Sequence, residues 1–255
     1  MPELPDVEIF KNYMEKNILN KKIKDIEFKI KKIVKSSNKI LQTKNKKVTA
    51  IKRHGKYCII TTDSPISLIM HFGMTGNLKF FKNEPEPKKS AMIITFSDNS
   101  KLAITNSRKL AKILATENYL QFLKKNTGQD ALKYSKNDFI NLVKSKKAKI
   151  KSILTNQKNI AGIGNIYADE ILYHSGISPN KKADKLLDKD IEIIYGKMQN
   201  VLKTAIKKGA EPKKMPKEYL IHRRTKNSTC GHDNSKIKKI EINSRSTYYC
   251  PQHQK

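Results

Sequence analysis

The chain has no tryptophan, and aromatic residues make up only 7% of its 255 positions. It has three cysteines, Cys58, Cys230 and Cys250. Three thiols cannot build the disulfide framework of a small secreted scaffold. No apolar run approaches the ~20 residues needed to cross a bilayer. The start, MPELPDVEIF, has neither a basic leader nor an apolar stretch, so no secretory signal is read there and an intracellular protein is expected. Acidic residues are scarce: 23 Asp and Glu stand against 53 Lys and Arg, a net charge of +30. Such a field attracts polyanions and speeds encounter with them. Nucleic acid is therefore the first candidate partner, with a lysine-biased composition as the alternative reading. Arginine is rare even so; Arg53, Arg108, Arg223, Arg224 and Arg245 are the only five. Its planar, two-pronged donor suits phosphates and bases better than lysine does, which makes these five useful pointers.

What is present is enough apolar residue, 37%, for a packed core. Residues 4–19 read as a helix, with Pro5 in its first turn and Val7, Phe10, Met14 and Ile18 on one face. From about 22 to 105 the period becomes that of strands, and Asp98-Asn99 offers a hairpin turn between runs at 91–97 and 101–105. The expected class is α+β. A leading helix and β-sandwich fill 1–115, a polar linker 116–134, a helical domain 135–222 and a basic, Cys- and His-bearing finger 223–255. Ser135 is placed to cap the first helix after the linker, and a longer helix over 190–208 presents Ile191, Ile194, Met198, Leu202 and Ala205.

Cys230, Asp233, Cys250 and His253 are spaced C-x2-D-x16-C-x2-H. Two ligand pairs separated by a hairpin-length insert have the geometry of a zinc ribbon, and thiolate, carboxylate and imidazole all suit Zn2+. His232 competes with Asp233 for the second position. The alternative is a pair of structural cysteines beside surface histidines.

Five stretches, in order from residue 2 to residue 254, resemble the formamidopyrimidine-DNA glycosylase and endonuclease VIII family. They are MPELPDVE at the start, RHGKY at 53–57, HFGMTG at 71–76, IAGIGNIYADEIL at 160–172 and SRSTYYCPQHQ at 244–254. The resemblance implies a helix–two-turn–helix domain ending in a zinc-ribbon hairpin with one structural zinc. It also implies a monomer that works on duplex DNA carrying oxidised or abasic lesions, in the cytoplasm at the nucleoid. The implied activity is that of a bifunctional glycosylase and AP lyase of base-excision repair. Its nucleophile is the secondary amine of Pro2, freed by removal of Met1, which attacks the sugar, expels the base and permits β,δ-elimination.

On the same ground Glu3 is the carboxyl that moves protons beside the nucleophile, and Lys56 contacts a phosphate and assists catalysis. His71, Lys151, Asn165 and Arg245 are expected on the DNA backbone, Asn165 from a glycine turn whose N–H groups suit an anion. Met74, Arg108 and Leu110 are expected to fill the hole that a flipped nucleotide leaves. Two departures matter. Asp6 stands where the family usually has glutamate, and leucine stands at 110 where it usually has phenylalanine. The segment 209–229 is also short, where members favouring 8-oxoguanine carry a longer stretch that caps the flipped purine. Weak action on 8-oxoguanine is expected, with formamidopyrimidines, hydantoins or oxidised pyrimidines preferred. Two rival readings are a non-catalytic damaged-DNA-binding zinc protein and a ribosome-associated basic zinc protein.

Overall fold

The computed structural model describes residues 1–225 and 227–255. It divides into two compact units, one of Met1–Pro2 with Asp6–Asn126 and one of Glu3–Pro5 with Thr127–Lys255.

Helix α1 (Leu4–Ile18) opens the chain. Val7, Met14 and Ile18 are fully buried, and Phe10 packs against the same core. β1 (Ile23–Phe28) follows, then the short helix α2 (Ser37–Leu41) and seven strands. These are β2 (Val48–His54), β3 (Tyr57–Thr62), β4 (Ser67–His71), β5 (Gly76–Phe81), β6 (Ser90–Phe96), β7 (Lys101–Asn106) and β8 (Lys112–Thr116). They form two four-stranded antiparallel sheets, ordered β1-β6-β7-β5 and β2-β3-β4-β8. Ile26, Met92, Ile94, Leu102 and Ile104 from the first sheet share one core with Ile51, Ile60, Leu68, Met70 and Ile113 from the second. That is the expected sandwich, two sheets closing on a common apolar layer. The turn between β6 and β7 is the one expected, with Asn99 at φ 61° and Asp98 Oδ1 accepting from Ser100 N at 3.1 Å.

The stretch expected as a linker holds a helix, α3 (Tyr119–Asn126). Tyr119, Phe122 and Leu123 lie three and one residues apart, and they cover Ile59 and Ile69 on the sandwich. The polar appearance of the segment hid this short apolar face.

In the second unit β9 (Gln129–Asp130) comes first, then helices α4 (Lys136–Lys144) and α5 (Ile150–Thr155). β10 (Ile160–Ala161) pairs in parallel with β9 and leads into α6 (Asn165–Ser175) and α7 (Asp188–Lys207). Ser135 Oγ accepts from Asp138 N at 3.1 Å and caps α4. α7 buries Ile191, Ile194, Met198, Val201, Leu202 and Ala205 in one core with Phe139, Ile153, Ile171 and Leu172. The hairpin of β11 (Lys238–Ile242) and β12 (Arg245–Tyr249) ends the chain. Its two turn residues, Asn243 and Ser244, have φ of 49° and 57°, the pair of positive angles that a two-residue hairpin requires. Among the described residues, no helix is long and apolar enough to cross a membrane.

Candidate active site and metal centre

The glycines of the turn before α6 are dictated by the start of the chain. Gly162 has φ +113°, and a Cβ there would lie 2.6 Å from Leu4 Cδ1. At Gly164 the added atom would lie 2.3 Å from Glu3 Cδ. Leucine and glutamate side chains thus occupy the space that any larger residue would need. Glu3 is 3% exposed. Its Oε2 accepts from Gly164 N at 2.7 Å and Tyr167 N at 3.2 Å, and its Oε1 from Ile166 N at 2.9 Å. Three backbone donors and the positive end of the α6 dipole therefore hold one carboxylate. The N–H groups expected to receive an external phosphate are filled by the protein's own Glu3. Pro2 precedes it in the chain and is half-buried.

Asn165, the first residue of α6, donates from Nδ2 to Ser246 O on β12 at 2.8 Å. Its Oδ1 has no partner. Arg245 is exposed beside it on the hairpin and reaches the carbonyl of Thr155 at 3.5 Å. It lines a cleft of about 540 Å³ together with Ser152, Asn156, Gln157 and Asn243.

Lys151 does not sit where its sequence position suggested. It is 1% exposed. Its Nζ lies 2.6 Å from Asp169 Oδ1, donates to Thr247 Oγ1 at 2.6 Å and reaches Ser246 O at 3.5 Å. Asp169 Oδ2 takes Arg224 Nη1 at 2.5 Å and Tyr248 N at 3.1 Å. Burial pushes the Lys151 pKa down, and the Asp169 carboxylate opposes the shift. With its ammonium enclosed by an anion and two oxygens, Lys151 fastens β12 to α6 and is not available to a phosphate. Counting spacing from a motif cannot reveal that a lysine is internal.

In the first unit, Lys56 follows Gly55 in the β2–β3 turn and is buried, 5% exposed. His71 ends β4. Burial, then Lys56 and Lys112, push its pKa down to about 4. Its Nδ1 accepts from Gly73 N at 3.2 Å, which only an unprotonated nitrogen can do. Beyond it, the 73–75 and 107–111 loops press together. A Cβ on Gly73 would lie 2.6 Å from the Leu110 carbonyl carbon. Arg108 N donates to Thr75 Oγ1 at 3.1 Å, and Arg108 Nη1 lies 3.5 Å from Met74 Sδ. Met74 is 45% exposed and Leu110 49%. The three residues expected as wedges are thus brought to one edge, with both apolar tips in solvent.

At the finger, donor atoms of Cys230, Asp233 and Cys250 lie within 4.8 Å of one another. No histidine nitrogen joins that set; His232 is exposed and His253 half-buried, their rings stacked at 4.1 Å. Hydrogen bonds from Ser235, through its amide and its hydroxyl, hold the Asp233 carboxyl well below the usual range. Burial pushes the Cys230 thiol up, against donors that favour the thiolate. Two sulfurs and a carboxylate at this separation are a donor set that fits Zn2+, and a bound cation would itself draw the thiols to thiolate. The core beneath is small: Tyr173, Leu220, Ile237 and the two cysteines.

Reading the sequence missed Asp169, Glu170 and Tyr173, and flagged Arg224 only as one of the five arginines. Glu170, 1% exposed, accepts from Leu220 N at 2.8 Å and Ile221 N at 2.9 Å. The signal was the Asp169-Glu170 pair inside an otherwise apolar helix, where charges are rarely buried without partners.

Comparison with known proteins agrees with this arrangement. The profile of the formamidopyrimidine-DNA glycosylase N-terminal domain matches residues 1–113. That of the formamidopyrimidine-DNA glycosylase H2TH domain matches residues 128–216. The chain belongs to the formamidopyrimidine-DNA glycosylase family. The formamidopyrimidine-DNA glycosylase of Wolbachia pipientis from Culex pipiens is 33% identical, with 98% of each chain covered. That alignment spans 270 positions against this chain's 255 residues, so the relative carries insertions. Among solved structures, the Lactococcus lactis enzyme non-covalently bound to DNA containing an AP site superposes with a TM-score of 0.88. It is 26% identical, with 99% of both chains covered. The same enzyme with DNA containing Fapy-dG gives 0.89 at 27% identity, again with 99% of both chains covered. The family's two domains thus account for both the sandwich and the helical unit.

Proposed function

We propose that this protein is a base-excision repair enzyme, a DNA glycosylase and AP lyase that removes oxidised bases from duplex DNA. The observation that carries this reading is Glu3. A buried carboxylate, held by three amides at a helix start, sits one residue after a proline that becomes a terminal secondary amine once Met1 is removed. An α-amino group titrates near ~7.7–8.0, so a useful fraction is neutral at physiological pH.

The Pro2 nitrogen attacks the sugar C1′, and the C1′–N bond to the damaged base breaks. The base leaves with its electron pair and takes a proton. The sugar, now ring-opened, is joined to Pro2 as an iminium. That cation acidifies C2′; loss of the C2′ proton expels the 3′ phosphate, and a second elimination expels the 5′ phosphate. Hydrolysis then returns the free amine. Glu3 carries protons in this sequence. It is fixed from three directions, so its oxygens cannot wander from the reacting sugar.

Lys56, Asn165 and Arg245 engage phosphates flanking the lesion. His71, held neutral by burial, spends its Nδ1 lone pair on Gly73 N and is left with its Nε2–H as a donor. Met74, Arg108 and Leu110 enter the duplex where the damaged nucleotide leaves it, apolar wedges beside an arginine that replaces the lost pairing partner. Cys230, Asp233 and Cys250 hold one structural zinc with a histidine as the fourth donor. Bound there, the ion cross-links a hairpin that has little core of its own.

The segment before the finger bears on substrate. Its residues 220 and 221 are tied to Glu170 and its Arg224 to Asp169. A short segment anchored to α6 in this way has little length left to cap a flipped purine. Formamidopyrimidines, hydantoins and oxidised pyrimidines are therefore the preferred substrates, and 8-oxoguanine a poor one.

The test is base release and strand scission on duplexes carrying a formamidopyrimidine, dihydrouracil, 8-oxoguanine or an abasic site. Release of the first two with both elimination products supports the reading. Tight binding with no scission on any duplex supports the non-catalytic alternative, and 8-oxoguanine excised as fast as the best substrate removes the substrate ranking.

A further inference from the structure

Tyr173 is fully buried near the end of α6 and touches both halves of the finger's donor set. Its hydroxyl oxygen accepts from Gly231 N at 2.8 Å, so its own proton is free to point at Cys230 Sγ, 3.2 Å away. Its backbone carbonyl lies 2.9 Å from His253 Nε2. A carbonyl can only accept, so Nε2 carries the proton of the neutral ring and the lone pair is left on Nδ1. The same ring is drawn toward the set from its main chain, since His253 N donates to Cys250 Sγ at 3.2 Å. His232 has a different setting. It is exposed, and although its amide also donates to a sulfur, Cys230 Sγ at 3.4 Å, its ring has no counterpart, among the described residues, of the bond that His253 makes to a carbonyl.

We propose that His253, through Nδ1, completes the metal-binding set of Cys230, Asp233 and Cys250, and that Tyr173 positions two of these donors, the His253 ring by its carbonyl and the Cys230 sulfur by its hydroxyl. This rests on the zinc reading above. Tyr173 thus holds one donor from each ligand pair. A ligating histidine commonly donates its second ring N–H to such a carbonyl. The tie fixes the tautomer and the ring plane, and loss of such partners weakens metal affinity about 10–100-fold. Asp233 has the corresponding support from Ser235, whose amide and hydroxyl reach Oδ1 at 3.0 and 2.7 Å. Cys250 Sγ is met by Ser235 Oγ at 2.8 Å and by His253 N, so each of the four donors has a named neighbour, and His232 has no part in the set.

The test uses the full chain and zinc itself, with cobalt as the spectroscopic probe. Zinc content is measured first, then affinity by competition with a chromophoric chelator. The cobalt-substituted protein is examined for thiolate charge transfer and the intense visible bands of a four-coordinate ion. Wild type binds one zinc. Tyr173→Phe, which keeps the buried ring, binds it about 10-fold or more weakly. His253→Asn loses affinity further and changes the visible bands, while His232→Asn stays within about twofold of wild type. A purely structural role for the tyrosine hydroxyl would lower the melting temperature of the chelator-treated Tyr173→Phe protein and leave its zinc affinity alone, and that result overturns the proposal. So does unchanged affinity in His253→Asn, or loss of the metal in His232→Asn. A wild-type chain that takes up neither zinc nor cobalt overturns the zinc reading beneath it as well.

Discussion

Glu3 and Gly164 meet at 2.7 Å, carboxylate oxygen to amide nitrogen, across 161 positions of sequence. Each requires the other. The carboxylate needs the N–H groups at the start of α6, and position 164 must lack a side chain because Glu3 fills that space. The turn before α6 therefore does more than open a helix: it fixes the carboxylate of Glu3.

Gly164→Ala is expected to displace Glu3 rather than unfold the chain. Base release should fall by about 100-fold or more, within the range that positioned acid–base groups contribute. Glu3→Gln should lose base release similarly but keep duplex affinity. Single-turnover rates and binding isotherms on one lesion duplex check both. A Gly164→Ala enzyme of wild-type rate would mean that the carboxylate need not be held.

Lys151 and Arg245 should separate cleanly. Lys151→Met breaks a buried pair and should cost about 3–5 kcal/mol of stability. At a temperature where it remains folded, the slope of log affinity against log salt should be unchanged. Arg245→Ala should leave stability within about 0.5 kcal/mol and lower that slope by about one phosphate contact. Denaturant melts and salt titrations of the two variants decide this, and a reduced slope for Lys151→Met would return that lysine to the DNA surface.

His71 has a folded pKa of about 4, below the ~6.5 of an unfolded chain. Between those values the unfolded state binds more protons, so stability rises with pH through this window. The contribution is complete above about 6.5 and is lost as pH falls toward 4. The ring should show no titration by NMR between pH 5.5 and 8, and His71→Asn should flatten the acid limb of the stability curve. A ring that titrates near 6.5 contradicts the burial described above.

Leu110 is half-exposed, so Leu110→Ala should leave the melting point of the free protein nearly unchanged. Affinity for a lesion duplex should drop several-fold, while affinity for undamaged DNA changes little, because a wedge acts only once the helix is opened. Equal losses on both duplexes would show that the side chain does not enter the stack.

The sequence made much of this legible because the decisive features are local. The Gly162–Gly164 turn, the Cys230–Asp233 and Cys250–His253 pairs and the Asp98-Asn99 turn between β6 and β7 are all readable within a dozen residues. What stayed hidden depends on partners far apart. Lys151 looks like any other of the many lysines until Asp169 and Thr247 enclose it. Asp169 and Arg224 are separated by 55 positions. Tyr173 reads as one more apolar residue of α6, since the Gly231, Cys230 and His253 atoms it engages come from the last quarter of the chain. The short helix α3 was missed for a different reason, its inward face of Tyr119, Phe122 and Leu123 being barely a turn long and followed at once by lysines and an amide.

The most direct test of the account is borohydride trapping on an abasic-site duplex, with Pro2→Gly as the control. The account predicts a covalent protein–DNA adduct of one-to-one mass, linked at Pro2 by peptide mapping, with the mutant's adduct lost or sharply reduced. No adduct under conditions of tight binding, or an adduct mapped to a lysine and undiminished in Pro2→Gly, would contradict it.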